Sequence, residues 1–157
     1  MILILLGTQN NSFIRLLNAV EKCIDEGIIK EEIVAQIGNT KFNTEKMTLK
    51  NFCSQEEIEN LIDRANFVIT HGGVGSIITC IKRSKKVIAV PRLKKYKEHV
   101  NDHQLQIVES LSQEGYIIGL KELEELDKAI KNIENFKPKE FISNTSNMIN
   151  KIVEYIK

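Results

Sequence analysis

Short apolar runs that end in glycine or proline alternate along this chain with stretches whose apolar residues recur every three or four positions. Residues 2–6 form a continuous apolar run closed by Gly7 and Thr8, which predicts a strand buried on both faces. Phe13, Leu16, Leu17, Val20 and Ile24 then share one helical face, and Gly27 stops that helix. Residues 33–37 predict a second strand, closed by Gly38, and residues 47–52 a weaker third. Ser54-Gln55-Glu56-Glu57 has the form of a capping box, in which hydroxyl and carboxylate satisfy free amides at a helix start. The helix it opens buries Ile58, Leu61, Ile62 and Ala65. Residues 67–70 predict a fourth strand, and a glycine-rich turn leads from it into a helix reaching about Arg83. Residues 86–90 form a fifth strand ending at Pro91, followed by a polar loop to about Val100. A helix from Asn101 turns Leu105, Val108 and Leu111 inward and ends at Gly115; residues 116–119 form a sixth strand. Two further helices are predicted, one through Leu123, Leu126, Ile130 and Ile133, the other over about residues 139–157.

No linker or repeat interrupts this series, so residues 1–157 are expected to form a single α/β domain. It is Rossmann-like, with a mainly parallel six-stranded sheet and helices on both faces. The length of 157 residues suits one domain with a real core and leaves no room for two such halves around a cleft. Apolar residues at 42% and charged residues at 27% describe a folded, soluble chain. The net charge of +1 gives no global electrostatic case for nucleic acid, and no nucleic-acid partner is expected. Cys23, Cys53 and Cys80 are too widely spaced for a zinc knuckle or a redox pair, and read as reduced thiols in a cytosolic protein. No apolar run approaches the ~20 residues of a membrane span, so any membrane contact is expected at the surface or through a partner.

In an open α/β sheet ligands bind beyond the carboxyl ends of the strands, where the strand order reverses. With the order 3-2-1-4-5-6 that point lies between strands one and four. The loops there are Gly7-Thr8-Gln9-Asn10 and His71-Gly72-Gly73-Val74-Gly75-Ser76. Both pass from an apolar strand directly into glycine and small polar residues, which let backbone amides approach an anion at a helix start. A phosphate or pyrophosphate between them is the inference; the competing reading is that the glycines serve only tight turns. Neither the G-x-G-x-x-G dinucleotide fingerprint nor the P-loop pattern is present, so hydride transfer and nucleotide hydrolysis lose ground.

A third loop leaves the same edge. Arg92, Lys94, Lys95 and Lys97 are expected to put positive charge beside the ligand, whereas Lys82, Arg83, Lys85 and Lys86 lie at the opposite edge and serve solubility. His99 and His103 stand four apart, near the spacing of two zinc ligands on a helix. Their context does not match H-E-x-x-H and no third ligand is evident, so no metal site is expected. Asn101 and Asp102 can cap the helix that begins here. Gln104, on its first turn, can hydrogen-bond a ribose or base without carrying charge.

Taken together, Gly7-Thr8-Gln9, Thr70-His71-Gly72-Gly73-Val74-Gly75-Ser76, Val90-Pro91-Arg92, Glu98-His99 and Asp102-His103-Gln104 resemble the C-terminal, donor-binding domain of glycosyltransferase family 28. More narrowly, the chain is similar to small bacterial subunits of capsule and exopolysaccharide synthesis. Those in turn are similar to the soluble subunit of the eukaryotic dolichol-linked N-acetylglucosamine transferase. The resemblance runs from Met1 to about Gly119.

It implies the C-terminal half of a GT-B fold that binds a UDP-sugar. Gly7, Thr8 and Gln9 would lie near the diphosphate, and His71, Gly72, Gly73, Gly75 and Ser76 would form the phosphate and sugar loop. His103 and Gln104 would approach the sugar or ribose, with Arg92, Glu98 and His99 completing the donor site. Relatives carry an acidic residue for the ribose where this chain has Thr79. The resemblance implies no metal or other cofactor and inverting transfer to a lipid-linked acceptor, through a membrane-associated partner subunit. The protein would then be cytoplasmic and peripheral at the inner membrane face. His71 is a candidate base by residue type, although in the wider fold the base usually belongs to the other domain. A non-catalytic nucleotide-sugar-binding or regulatory module is the alternative.

Overall fold

A computed structural model of the protein describes residues 1–141. Six strands, β1 (Ile2–Leu5), β2 (Ile33–Gln36), β3 (Thr48–Lys50), β4 (Phe67–His71), β5 (Val87–Val90) and β6 (Ile118–Gly119), form one sheet in the order β3-β2-β1-β4-β5-β6. Every neighbouring pair is parallel. The order and direction agree with expectation. The edge strands β3 and β6 are shorter than their sequence runs, since only residues 48–50 and 118–119 find a ladder partner.

Side-chain alternation divides the core. Ile2 and Ile4 face helices α1 (Ile14–Asp25) and α5 (Leu126–Asn132), where Leu16, Leu17, Val20, Leu126 and Ile130 cover them. Leu3 and Leu5 face α2 (Gln55–Arg64), α3 (Val74–Lys82) and α4 (His103–Gln113) on the other side. Both faces of β1 are therefore sealed, which is why its sequence is an unbroken apolar run. Of the helix expected over residues 139–157, only the first three residues are described, and they carry no regular structure.

Local signals explain the helix starts. The Ser54 hydroxyl accepts from the Glu57 amide at 3.1 Å, as the capping box requires. The Glu57 carboxylate, however, takes the Ser54 hydroxyl at 3.4 Å rather than its backbone amide. Helix α4 begins at His103, two residues later than Asn101. Asn101 Oδ1 accepts from the His103 amide, while Asp102 turns away to accept from Lys94 N–H at 2.9 Å. Helix α4 consequently buries Gln104, Ile107, Val108 and Leu111, and Leu105 is only half-buried.

The cluster at the amino ends of the strands is more than solubilising charge. Arg83 pairs with Asp63, Lys85 donates to the Ala65 carbonyl, and Lys86 donates to the carbonyls of Ile133 and Glu134.

Candidate functional site

Strands β1 and β4 lie side by side with Leu5 opposite Thr70, so the chain leaves both at the same end of the sheet. A pocket of about 400 Å³ opens there. Gly7, Thr8 and Gln9 form one wall, and His71, Gly73, Gly75 and Ser76 the other. All seven are residues expected from the sequence. Gln36, Cys53, Gln55 and Ile58 extend the pocket toward α2 and were not expected in it; Thr79, on α3, lines it as well. The signal for Gln36 was a polar residue at the carboxyl end of an apolar strand. Cys53 and Gln55 gave none, because only the placement of β3 brings them here.

The second wall ends at a helix start. Gly73 occupies the cap position of α3 and has no side chain to cap it. The first helical bond runs from the Ile77 amide to the Gly73 carbonyl, which leaves the amides of Val74, Gly75 and Ser76 outside the helical ladder. With the helix dipole, these amides give this wall of the pocket a positive potential without any ionised side chain.

His71 sits between the two glycine loops and is only 5% exposed. Gly7 has φ +77, and a Cβ there would meet His71 Nε2 at 2.5 Å; a Cβ on Gly73 would collide with His71 Cε1. The glycines are thus needed to admit the ring as well as to turn the chain. Gln104 Oε1 accepts from the amides of Gly72 at 3.1 Å and Arg92 at 3.0 Å. Its amide nitrogen lies 3.2 Å from His71 Nδ1, and His71 Nε2 lies 3.4 Å from Ser76 Oγ. Burial, reinforced by the nearby Arg92 charge, pushes the His71 pKa down to about 4, so the ring is neutral at physiological pH.

The third loop differs from expectation. Arg92 is 1% exposed and does not line the pocket. Its guanidinium donates to the carbonyls of Leu6 at 2.6 Å, Asn11 at 2.7 Å and Glu98 at 3.2 Å, and so ties the loop after β1 to the loop after β5. The expectation that Arg92 presents charge to a ligand is corrected on this point: its buried guanidinium turns its terminal N–H groups to three carbonyl groups rather than to the pocket. Glu98 is likewise buried, accepting from Leu93 N–H and from Arg15 through both carboxylate oxygens at 3.0 Å. Phe13 packs against both guanidinium groups, 5.0 Å from Arg92 and 5.5 Å from Arg15. Lys94, Lys95 and Lys97 are exposed at the loop tip and do not line the pocket.

Gly72, His99, His103 and Gln104 also stand behind or beside the pocket rather than in its lining. Gly72 packs so closely on α4 that a Cβ would meet that of Gln104 at 2.8 Å. His99 Nδ1 accepts from the Asn101 amide, and burial lowers its pKa, with the Arg92 and His103 charges adding to the effect. Thr79 Oγ1 donates to the Gly75 carbonyl at 2.9 Å. Among the described residues there is no group of three or more His, Cys, Asp or Glu side chains placed to hold a metal ion.

A parallel sheet of this order with a glycine-walled pocket at its crossover defines a Rossmann-like α/β domain. Residues 1–157 match the glycosyltransferase family 28 C-terminal domain, and the chain belongs to that family. It is 28% identical over 97 residues to the UDP-N-acetylglucosamine transferase subunit ALG13 of Homo sapiens, covering 59% of this chain and 8% of that protein. It is 27% identical over 109 residues to the subunit of the same name in Candida albicans, covering 69% of this chain and 36% of that protein. The chain therefore spans about a third of the fungal relative and a small part of the human one. An NMR solution structure of ALG13 shares the fold, with a TM-score of 0.62 over 99% of this chain and 96% of that one at 18% identity.

Proposed function

We propose that this chain is the donor-binding catalytic subunit of an inverting glycosyltransferase. It binds a UDP-sugar and works with a membrane-associated partner that holds a lipid-linked acceptor, in polysaccharide biosynthesis. The observation that carries the proposal is the pocket between the loops after β1 and β4. Its glycine walls, neutral His71 and the open amides of α3 suit a diphosphate. Family membership supports the class of reaction, and the relatives, named as subunits of a UDP-N-acetylglucosamine transferase, support the donor class and the partner.

As the donor's bond to the sugar breaks, negative charge grows on the leaving UDP. Backbone amides already oriented toward that charge stabilise it without reorganising, so the proposed chemistry is metal-independent. Among the described residues, Asp and Glu are absent from the pocket lining. That supports a base for the acceptor hydroxyl supplied from the partner side, and hence an enzyme completed by association. The proposed setting is cytoplasmic, at the inner membrane face through that partner; no helix among the described residues is long and apolar enough to cross a membrane.

The test has two stages. Calorimetric titration of the chain, alone and with its partner, should show saturable binding of UDP and a UDP-sugar. No binding in either case removes the proposal. Sugar transfer to a lipid-linked acceptor should then require both chains. Binding without transfer would select the non-catalytic module.

A further inference from the structure

We propose that Gln104 is a positioning residue that fixes His71 as the tautomer protonated at Nε2, making the ring a neutral hydrogen-bond donor into the pocket. Backbone amides can only donate. Those of Gly72 and Arg92 both end on the same terminal atom of Gln104, at 3.1 and 3.0 Å, so that atom is the carbonyl oxygen. The other terminal atom is then the NH₂ group, which also can only donate, and it lies 3.2 Å from His71 Nδ1. Nδ1 must therefore be the acceptor and carry no proton. A neutral imidazole has one N–H, so the proton sits on Nε2, the nitrogen between Gly7, Gly73 and Ser76.

Burial and the Arg92 charge disfavour a second proton on the ring. The one basic nitrogen of His71 thus faces Gln104, away from any substrate hydroxyl. In this tautomer His71 donates to an anionic oxygen of the ligand and does not serve as the general base. Naming that oxygen as a diphosphate oxygen rests on the function proposed above; the tautomer does not.

The test is the two-bond ¹H–¹⁵N spectrum of the histidine rings in the ligand-free protein, at about pH 8 where an ordinary histidine is neutral. His71 is assigned by its loss in His71→Asn. The expected result is a protonated Nε2 and a bare Nδ1. Gln104→Glu keeps an oxygen for the two amides but puts a second oxygen opposite Nδ1. The proton should then move to Nδ1, and UDP affinity should fall about tenfold or more, the cost of a lost bond to a charged group. A merely packing role for Gln104 would alter stability without moving the proton. A wild-type ring protonated at Nδ1 overturns the proposal whether or not the variant folds, as does a folded Gln104→Glu that retains the proton on Nε2. Failure of wild-type chain to bind UDP counts against the donor function and leaves the tautomer as measured.

Discussion

The Gln104 amide nitrogen stands 3.2 Å from Nδ1 of His71, joining the first turn of α4 to the ring behind the glycine loops. Burial of the His71 ring, reinforced by the Arg92 charge, makes its protonation a matter of stability. Its folded pKa is lowered to about 4 from an ordinary 6.5. The unfolded chain therefore binds the extra proton first as pH falls. The stabilising contribution is fully present above 6.5 and is lost as pH falls toward 4, and it amounts to about 3 kcal/mol. His71→Asn lacks the titration while its Oδ1 can still accept from Gln104. In urea unfolding from pH 7 to pH 4, wild type should lose about that much more stability than the variant. Parallel pH profiles would contradict the assignment.

Arg92 gives a sharp contrast between a ligand contact and a fold contact. Lysine keeps the charge but cannot reach three carbonyls with a planar fork. Arg92→Lys is expected to cost about 3 kcal/mol in denaturant unfolding, from the polar groups left unsatisfied. An unchanged unfolding midpoint with weakened UDP binding would instead return Arg92 to the ligand.

Arg15 and Glu98 form a second tie, from the first turn of α1 to the loop after β5, with side-chain exposures of 22% and 4%. Arg15→Met leaves a nearly buried carboxylate without its cation and should destabilise by about 3 kcal/mol. Arg15→Met combined with Glu98→Gln should recover part of that loss. A double-mutant cycle with no coupling would show that the pair is not energetically joined.

The two glycines on the α3 wall should behave oppositely. A Cβ at Gly73 collides with the His71 ring, whereas one at Gly75 meets nothing within 4 Å. Gly73→Ala should displace His71 and weaken UDP binding about tenfold or more. Gly75→Ala, inside a helix, should raise stability by about 0.5–1 kcal/mol. Equal thermal shifts for both variants would refute this difference.

Thr79 lines the pocket, and its hydroxyl proton is already engaged with the Gly75 carbonyl. Thr79→Glu should supply an acceptor for the ribose of the proposed donor and tighten UDP binding about threefold to tenfold, while leaving the affinity for pyrophosphate unchanged. Equal changes for both ligands would place Thr79 away from the ribose.

The strands that position the pocket were the most legible elements. Strands β1, β4 and β5 are central and doubly buried, so their apolar runs carry little ambiguity, and the glycine loops follow from where those runs stop. Helix α4 was less legible for a specific reason. Its inward face begins with the polar Gln104, so an apolar pattern alone shifted that face onto Leu105. Arg92 was misread because charge predicts exposure. Its burial depends on carbonyls of Leu6 and Asn11, more than eighty positions earlier in the chain, which no local pattern encodes. The role of Gln36 was hidden in the same way, since its partner Asn51 reaches it only through β3.

Those distances along the chain also set a timetable. The pocket closes only when Thr70 meets Leu5, 65 residues away, and when Arg92 meets Leu6, 86 residues away. Loop closure on this scale is slow compared with local helix formation. During synthesis the first glycine loop emerges early but has no opposing wall, and His71 has no anchor until Gln104 has left the ribosome. Competence to bind should therefore arrive late and in one step, and a chain halted before α4 should be inert toward the ligand.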